Sequence, residues 1–395
     1  MPPRTSAKGP PVPTTTLDPI ISFIHARLNG DLPFNKSSVA GNHRGFIIHA
    51  AKQRNLTVKS LSQDHCAFFD QGIAVGGMYK MVTSLVSHPA ISATNSKPMT
   101  KQLLAKAGVP VPAGRSFSQN HFDEAAEYFQ QQQKPMVIKP ANGRAGDGIT
   151  TNVSDLAQFD RAWSRAVEAS TSKHKIMLEA HVTGLDVRAF VVGDRVVAAA
   201  TRLPAFVQGN GQDSLVDLVE AKSSVRAENA YLRKMPIQVD YGWLAGRGWK
   251  ATAVPEDGEI VLLNGTVNIH QGGEHVDITH ELSPELQQIA VRAAQAIPGL
   301  TVAGIALLVA SPDSVHNAVV LEANTSANIS VHHVPAYGQP VDVGGAIIDE
   351  MLRRAPRPPA KEPKRKGRKI SILARAQRLT NRLSQSLDPS PRAAF

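Results

Sequence analysis

The stretch "VIKPANGRAGDGIT", residues 137–150, decides how the chain is read. The apolar residues 136–138 end in Lys139, Pro140 closes the run, and glycines follow at 143, 146 and 148. That order predicts a short strand handing over to a flexible turn. Glycine lets backbone amides come close to an anion, and several such amides form a positively polarised concavity for phosphate. Two familiar phosphate loops are excluded by spacing. No Lys-Ser/Thr follows the last glycine, as a Walker A loop requires, and no GxGxxG opens a helix. Alone, the stretch also reads as an ordinary glycine-rich hairpin turn, so the segments around it have to choose.

The chain has 395 residues, enough for two or three domains. Aromatic residues make up 5%, too few for a platform on which single-stranded nucleic acid would stack. No apolar run approaches the roughly 20 residues that span a bilayer. The start, "MPPRTSAKGPPVPTTT", lacks the apolar core of a secretory signal, so a cytoplasmic location is expected. Cys66 is the one cysteine. It excludes an internal disulfide, and with no motif around it, it reads as a buried structural thiol rather than a nucleophile. The net charge of +10 suggests nucleic acid until it is located. Residues 361–395 carry ten Lys/Arg and two acids, a net of +8, which leaves +2 for the other 360 residues. The charge belongs to the tail, and no specific nucleic-acid partner is expected of the folded part.

Patterning predicts a mixture of helices and antiparallel strands. "GFIIHAAKQRNL" reads as a helix and "TVKSLS" as a strand. "SKPMTKQLLAKAG" reads as a helix stopped by Gly108. "PMVIKP" and "HKIMLEAHV" are strands, and "VRAFVVGDRVVAAATRL" is a hairpin turning at Gly193-Asp194. Further strands are "GEIVLLN", "VAGIALLVA" and "NAVVLEAN", and "SPELQQIAVRAAQAI" is an amphipathic helix with Ser283 as its N-cap. The class is therefore α+β, or mixed α/β. After the linker "APRPPAKEPKRKGRK", Ile372, Ala376, Leu379 and Leu383 form an apolar stripe with Arg375, Arg378 and Arg382 beside it. That tail is either plainly solvated or drawn to an anionic membrane or polyanion. A nucleic-acid-binding reading would rest on this tail alone, and its salt-sensitive binding should vanish when residues 361–395 are deleted.

Carboxylates and lysines fall around the glycine loop in a definite order. Lys97 starts the helix before it, with Lys101 one turn on; "MLEAHVTGLDVRAF" follows with Glu179 and Asp186; "VVLEANTSANIS" supplies Glu322 and Asn324, two apart on a strand and so on one face. A carboxylate and a carboxamide on one face suit a hard cation of the kind a polyphosphate carries. From about Gly45 to Met351 this order resembles the ATP-grasp superfamily of carboxylate–amine ligases, and most closely the ATP-dependent part of cyanophycin synthetases and bifunctional glutathione synthetases. The D-alanine–D-alanine ligases are similar at greater distance. Each motif is weak alone; the order and spacing carry the signal.

The resemblance implies an ATP-grasp fold, with nucleotide held between two α+β subdomains. It implies a small α/β domain over 17–95, a lid subdomain over 96–182 and a C-terminal subdomain over 183–355, while composition predicts a disordered Pro/Thr-rich tail over 1–16 and a basic linker and amphipathic tail over 356–395. It implies ATP and Mg²⁺ as cofactors, with Mn²⁺ as a substitute. Lys97 and Lys139 would neutralise phosphates, and the loop amides of Arg144, Ala145, Gly146 and Gly148 would cover them. Glu179, Ala180 and Val182 would hold adenine, Asp186 would accept from the ribose, and Glu322 and Asn324 would hold the metal. Arg188 and Arg202 would orient a carboxylate or its acyl phosphate, unless they are plain surface charges of a hairpin. Asn268, His332 and His333 would line the acceptor side. The histidines 270, 275 and 280 are spaced by five, which shares a face on neither helix nor strand, so zinc is not expected.

Two positions depart from the family's pattern. Ala306 stands where the relatives carry a metal-binding Asp, a role water or Asp313 would have to fill, and Asp147 stands where a lysine is frequent. The implied function is an ATP-dependent ligase acting on an amino-acid or small-peptide carboxylate and an amine. Its competitor is a weak or inactive nucleotide-binding protein of regulatory use. The cyanophycin-type relatives carry a second ligase domain after this one, for which the tail leaves no room. A single ligation is therefore expected rather than polymerisation, and a homodimer is an allowed assembly.

Overall fold

A computed structural model of the chain describes residues 18–28, 33–39, 41–142, 146–170 and 175–356. The expectations for residues 1–16, for Arg144 and Ala145, and for the basic tail beyond 356 lie outside the described residues.

The first elements are α1 (Asp18–Leu28) and α2 (His43–Gln53). Asn42 caps α2, its side-chain oxygen accepting from the Gly45 amide at 2.8 Å. A four-stranded antiparallel meander follows: β1 (Thr57–Ser60), β2 (His65–Asp70), β3 (Ile73–Tyr79) and β4 (Val82–Thr83). Patterning had shown only β1, because β3 carries two central glycines and β4 is two residues long. Then come α3 (His88–Thr94) and α4 (Lys97–Lys106). The Ser96 side chain caps α4, and Gly108 leaves it with φ at +67°.

A second sheet is built from β5 (Gly114–Ser118), β6 (Met136–Pro140), β7 (Thr150–Val153) and β8 (Lys175–Ala180), in the order β5-β8-β6-β7. Helices α5 (Phe122–Gln131) and α6 (Leu156–Glu168) are its partners. Alternation divides its faces. Met136, Ile138, Ile176 and Leu178 pack with Phe129, Phe159 and Trp163 in one cluster. Lys139, Met177 and Glu179 take the opposite face. β6 and β7 pair antiparallel.

The hairpin β9 (Leu185–Val192) and β10 (Arg195–Leu203) turns at Gly193, as patterning predicts. After it come β11 (Phe206–Gln208), α7 (Leu215–Ala227), α8 (Tyr241–Ala245), β12 (Ile260–Leu262), β13 (Glu274–Asp277), α9 (Pro284–Gln295), β14 (Val302–Val309), β15 (Val319–Asn324), α10 (Ser330–His333) and α11 (Val343–Arg354). β11 pairs with β12, and the large sheet runs β13-β10-β9-β14-β15, antiparallel throughout. Ser283 caps α9, its side chain accepting from the Leu286 amide. Leu286, Ile289 and Ala293 of α9 join one core with Val187, Ala189 and Val191 of β9. Ile47 of α2, Phe68 of β2 and Ile347 of α11 belong to that same core. The architecture is the mixed α+β class with antiparallel sheets that patterning predicts.

Candidate active site

The polar face of the second sheet meets α4 and β15 across a cavity lined by Lys97, Lys101, Lys139, Met177, Glu179 and Leu321, among others. Register explains why Lys139 and Glu179 share that face. Lys139 lies opposite Met177, and Glu179 opposite Val137, on adjacent antiparallel strands. Glu179 is 4% exposed. Its Oε2 is 2.5 Å from Lys139 Nζ, and its Oε1 accepts from Lys101 Nζ at 2.7 Å. Burial opposes the carboxylate's charge, but the two ammonium groups outweigh it and hold its pKa below the usual range. Lys97 sits one helical turn before Lys101 on the same side of α4. Burial lowers its pKa, Glu322 raises it and Lys139 lowers it further, so Lys97 feels both acids of the site and its neighbouring lysine.

A second network lies on one face of the large sheet. Asp186, Arg188 and Phe190 alternate with Val187 and Ala189 along β9. Asp186 is 8% exposed and uses both oxygens on guanidinium groups. Oδ1 accepts from Arg188 Nε at 2.9 Å and Arg202 Nε at 3.0 Å, and Oδ2 from Arg202 Nη2 at 2.6 Å. Burial again works against the charge, and Arg188 and Arg202 overcome it, keeping the carboxyl low. Arg188 Nη1 reaches Glu322 Oε1 at 2.9 Å, and Asn324 Nδ2 donates to the same oxygen at 3.0 Å. Burial would lower the Arg188 pKa, but Asp186 and Glu322 raise it, so the guanidinium is a permanent charge. His275 lies opposite Arg202 in the register and is buried. Burial first, then Arg202, drives its pKa well down, so it is neutral.

Of the expected site residues, Lys97, Lys139 and Glu179 surround the cavity, while Asp186, Arg188, Arg202, Glu322 and Asn324 form the neighbouring network. Ala180 and Val182 are half-buried at the end of β8, and the Ala180 amide donates to the Ala113 carbonyl at 2.8 Å. Gly146 is exposed with φ at +83°, and Gly148 is buried with φ at +69°. A Cβ at 148 would come within 2.5 Å of the Ala169 Cβ. Asp186 is turned to its arginines and accepts from both of them. Lys101 has a place that spacing alone did not assign; the signal was its offset of four from Lys97. His332 is buried against the Phe190 ring, centroids 5.9 Å apart, and His333 stacks on Phe46 at 4.1 Å. Asn268 caps a short 3-10 turn, accepting from the His270 amide. Among the described residues, no group of three or more His, Cys, Asp or Glu side chains is placed to hold a metal.

Residues 94–208 match the family model described as a RimK-like ATP-grasp domain. The chain is similar to the cyanophycin synthetase of Trichormus variabilis, 31% identical over 315 residues, covering 78% of this chain and 34% of that relative. It is also similar to the glutathione biosynthesis bifunctional protein GshAB of Desulfotalea psychrophila, 28% identical over 277 residues, covering 68% of this chain and 35% of the relative. The chain thus spans about a third of the length of these curated relatives. Its fold is similar to the crystal structure of a bifunctional glutathione synthetase from Pasteurella multocida, with a TM-score of 0.60 at 22% identity, covering 79% of this chain and 43% of that one.

Proposed function

We propose, from the premise that the chain belongs to the ATP-grasp superfamily, that it uses ATP to activate a carboxylate as an acyl phosphate and joins it to an amine. The observation that carries this reading is the cavity where Lys97, Lys101 and Lys139 surround the buried Glu179. Three ammonium groups, with Glu179 and Glu322 as the acids acting on them, leave a net positive charge that a polyphosphate would neutralise. Lys97 and Lys139 are compact charges suited to phosphate oxygens. Amides of residues 144–148 cover the phosphates, and Glu179 with the backbone at Ala180 and Val182 takes the adenine edge. Glu322 and Asn324 offer hard oxygen donors on one face, which fits Mg²⁺, with Mn²⁺ able to replace it. When bound, that ion neutralises phosphate charge.

The substrate carboxylate oxygen attacks the γ-phosphorus, forming an O–P bond as the bond to the β-phosphate bridge breaks and ADP leaves. Arg188 and Arg202, fixed by Asp186, hold the carboxylate and then the acyl phosphate with their remaining N–H groups. A neutral amine then attacks the acyl carbon. The C–N bond forms, the C–O bond to phosphate breaks, and the amine proton leaves to solvent. Closure of the glycine loop keeps water from the acyl phosphate. The acid is proposed to be an amino acid or small peptide and the amine of similar size, with a homodimer as the assembly. The division at 17–95, 96–182 and 183–355 is proposed as the working domain arrangement. A cytoplasmic location is also proposed; among the described residues, no helix is long and apolar enough to cross a membrane. The basic tail is proposed as a contact for an anionic membrane or polyanion, tested by loss of salt-sensitive binding in a chain ending at residue 360.

The test is release of ADP and phosphate by the full chain with Mg-ATP and pools of amino acids and dipeptides. Turnover should require both a carboxylate and an amine, and should fall at least a hundredfold in Lys139→Ala and Glu322→Ala. Ala306, in the row beside Glu322, favours a second reading: a binding protein with weak or no turnover. ATP binding without turnover on any pool, with turnover appearing in Ala306→Asp, would put that reading first.

A further inference from the structure

Arg188, Ala306 and Glu322 stand in one cross-strand row. Ala306 of β14 is directly opposite Arg188 of β9 on one side and Glu322 of β15 on the other. Directly opposed residues of antiparallel strands project to the same face, so the three side chains share it. Ala306 is fully buried, and its methyl group is short enough for the Arg188 side chain to pass over it. The guanidinium therefore crosses a whole strand to place Nη1 2.9 Å from Glu322 Oε1. Ala200, opposite Arg188 on the other flank, is also fully buried. The arginine thus lies in a channel floored by two alanines, with Asp186 and Glu322 as its anchors.

We infer that Arg188, reaching across Ala306 to Glu322, occupies the place a second divalent cation would need, so that the nucleotide site of this chain takes a single divalent ion. The inference rests on the ATP-binding reading above. Two ions sharing a polyphosphate each draw on one or two carboxylate oxygens besides phosphates and waters, since hard cations demand several oxygen ligands each. Here Glu322 Oε1 already accepts from Arg188 Nη1 and from Asn324 Nδ2. Among the described residues, Glu322 belongs to no group of three or more His, Cys, Asp or Glu side chains placed to hold a metal. The guanidinium itself is held from behind by Asp186 through Nε and Nη2, so it cannot swing away without giving up its bonds to a buried carboxylate. Its fixed positive charge, beside that of Lys97, repels a further cation at this edge and supplies in its place a charge that needs no loading. An aspartate at 306 would put a carboxylate beneath the arginine, draw the guanidinium off Glu322 and open a bridging position.

The experiment counts Mn²⁺ on the full-length protein in the presence of the β,γ-imido analogue of ATP, by the loss of the free-ion electron paramagnetic resonance signal. Analogue binding is followed separately by calorimetry. The expected result is one Mn²⁺ per chain in the parent and two in Ala306→Asp. Arg188→Gln, which removes the guanidinium without adding a carboxylate to the core, should also take up a second ion, at least tenfold more tightly than the parent. Two ions on the parent would overturn the inference. So would a single ion on both variants while they bind the analogue as the parent does. Should Ala306→Asp fail to fold, as judged by its circular dichroism, the Arg188→Gln count decides by itself. If the parent binds no analogue at all, the nucleotide reading falls and takes this inference with it, a result the calorimetry separates from a wrong ion count.

Discussion

At Asp186, one buried carboxylate organises two arginines that come from facing strands of a hairpin. Its pKa is held down by Arg188 and Arg202 against the cost of burial. Asp186→Asn keeps the shape but leaves two guanidinium groups with a neutral partner. Removing one member of a buried ion cluster costs about 3–5 kcal/mol, discounted here because the arginine side chains are 20% and 25% exposed. A loss of about 2–3 kcal/mol in urea unfolding is expected, with secondary structure retained by circular dichroism; a loss under about 0.5 kcal/mol would mean that the arginines are not held by this group. The neighbouring Glu179 shows how much of the site could be read from residue types. That Lys97, Lys139 and Glu179 come together was legible from their order around the glycine loop, and they line one cavity. That Glu179 holds Lys101 as well was not, because the two lie 78 positions apart and meet only in the folded chain.

The strands that carry these groups are placed by close backbone contact as well as by side-chain pattern. Gly114 of β5 lies opposite Glu179 of β8, and a Cβ at 114 would fall 2.2 Å from the Leu178 carbonyl oxygen and 2.8 Å from the Glu179 Cα. Both are backbone atoms, so no rotamer change relieves the clash. Gly114→Ala should push β5 off β8, with an overpacking cost of about 1–3 kcal/mol. It should also weaken Mg-ATP binding, because Glu179 moves with its strand. Calorimetric titration of the variant checks this, and unchanged affinity would place β5 outside the mechanics of the site. The β9–β10 hairpin behaves differently. It was legible as a hairpin because two β-branched runs meet at Gly193-Asp194, whereas β3 and β4 were too glycine-rich or too short to show a period.

At the scale of the whole described body, three neutral histidines sit where α2 meets the C-terminal elements. His43 accepts at Nδ1 from the Ile329 amide, and His333 accepts at Nε2 from the Gly344 amide and stacks on Phe46. Burial above all lowers His43 and His333 to about 4 and His332 to about 3. The unfolded chain binds protons near 6.5 that the folded one refuses, so their contribution to stability is complete above about 6.5 and is lost as pH falls toward about 4. Each histidine titrating alone changes stability by about 1.4 kcal/mol per pH unit in that window. The thermal midpoint should therefore drop steeply between pH 6.5 and 4.5. His43→Gln, which keeps an acceptor and cannot be protonated, should flatten the curve. A variant curve parallel to the parent's would show that His43 does not carry the dependence.

What the sequence by itself determined is local and ordinal. It decided the capped helix after Ser283, the turn at Gly193, the strand carrying Lys139, and the resemblance to ATP-grasp ligases through motifs kept in one order. Periodicity and capping act within a few residues and survive without the rest of the fold. The tertiary structure alone decided which groups touch. Arg188, Ala306 and Glu322 become neighbours because β14 pairs with β9 on one edge and β15 on the other. A one-residue slip in either register would turn the row to the opposite face. That register is set by the burial of Val187, Ala189 and Ile305 in a common core, a cooperative choice made by the whole sheet that none of its strands encodes alone.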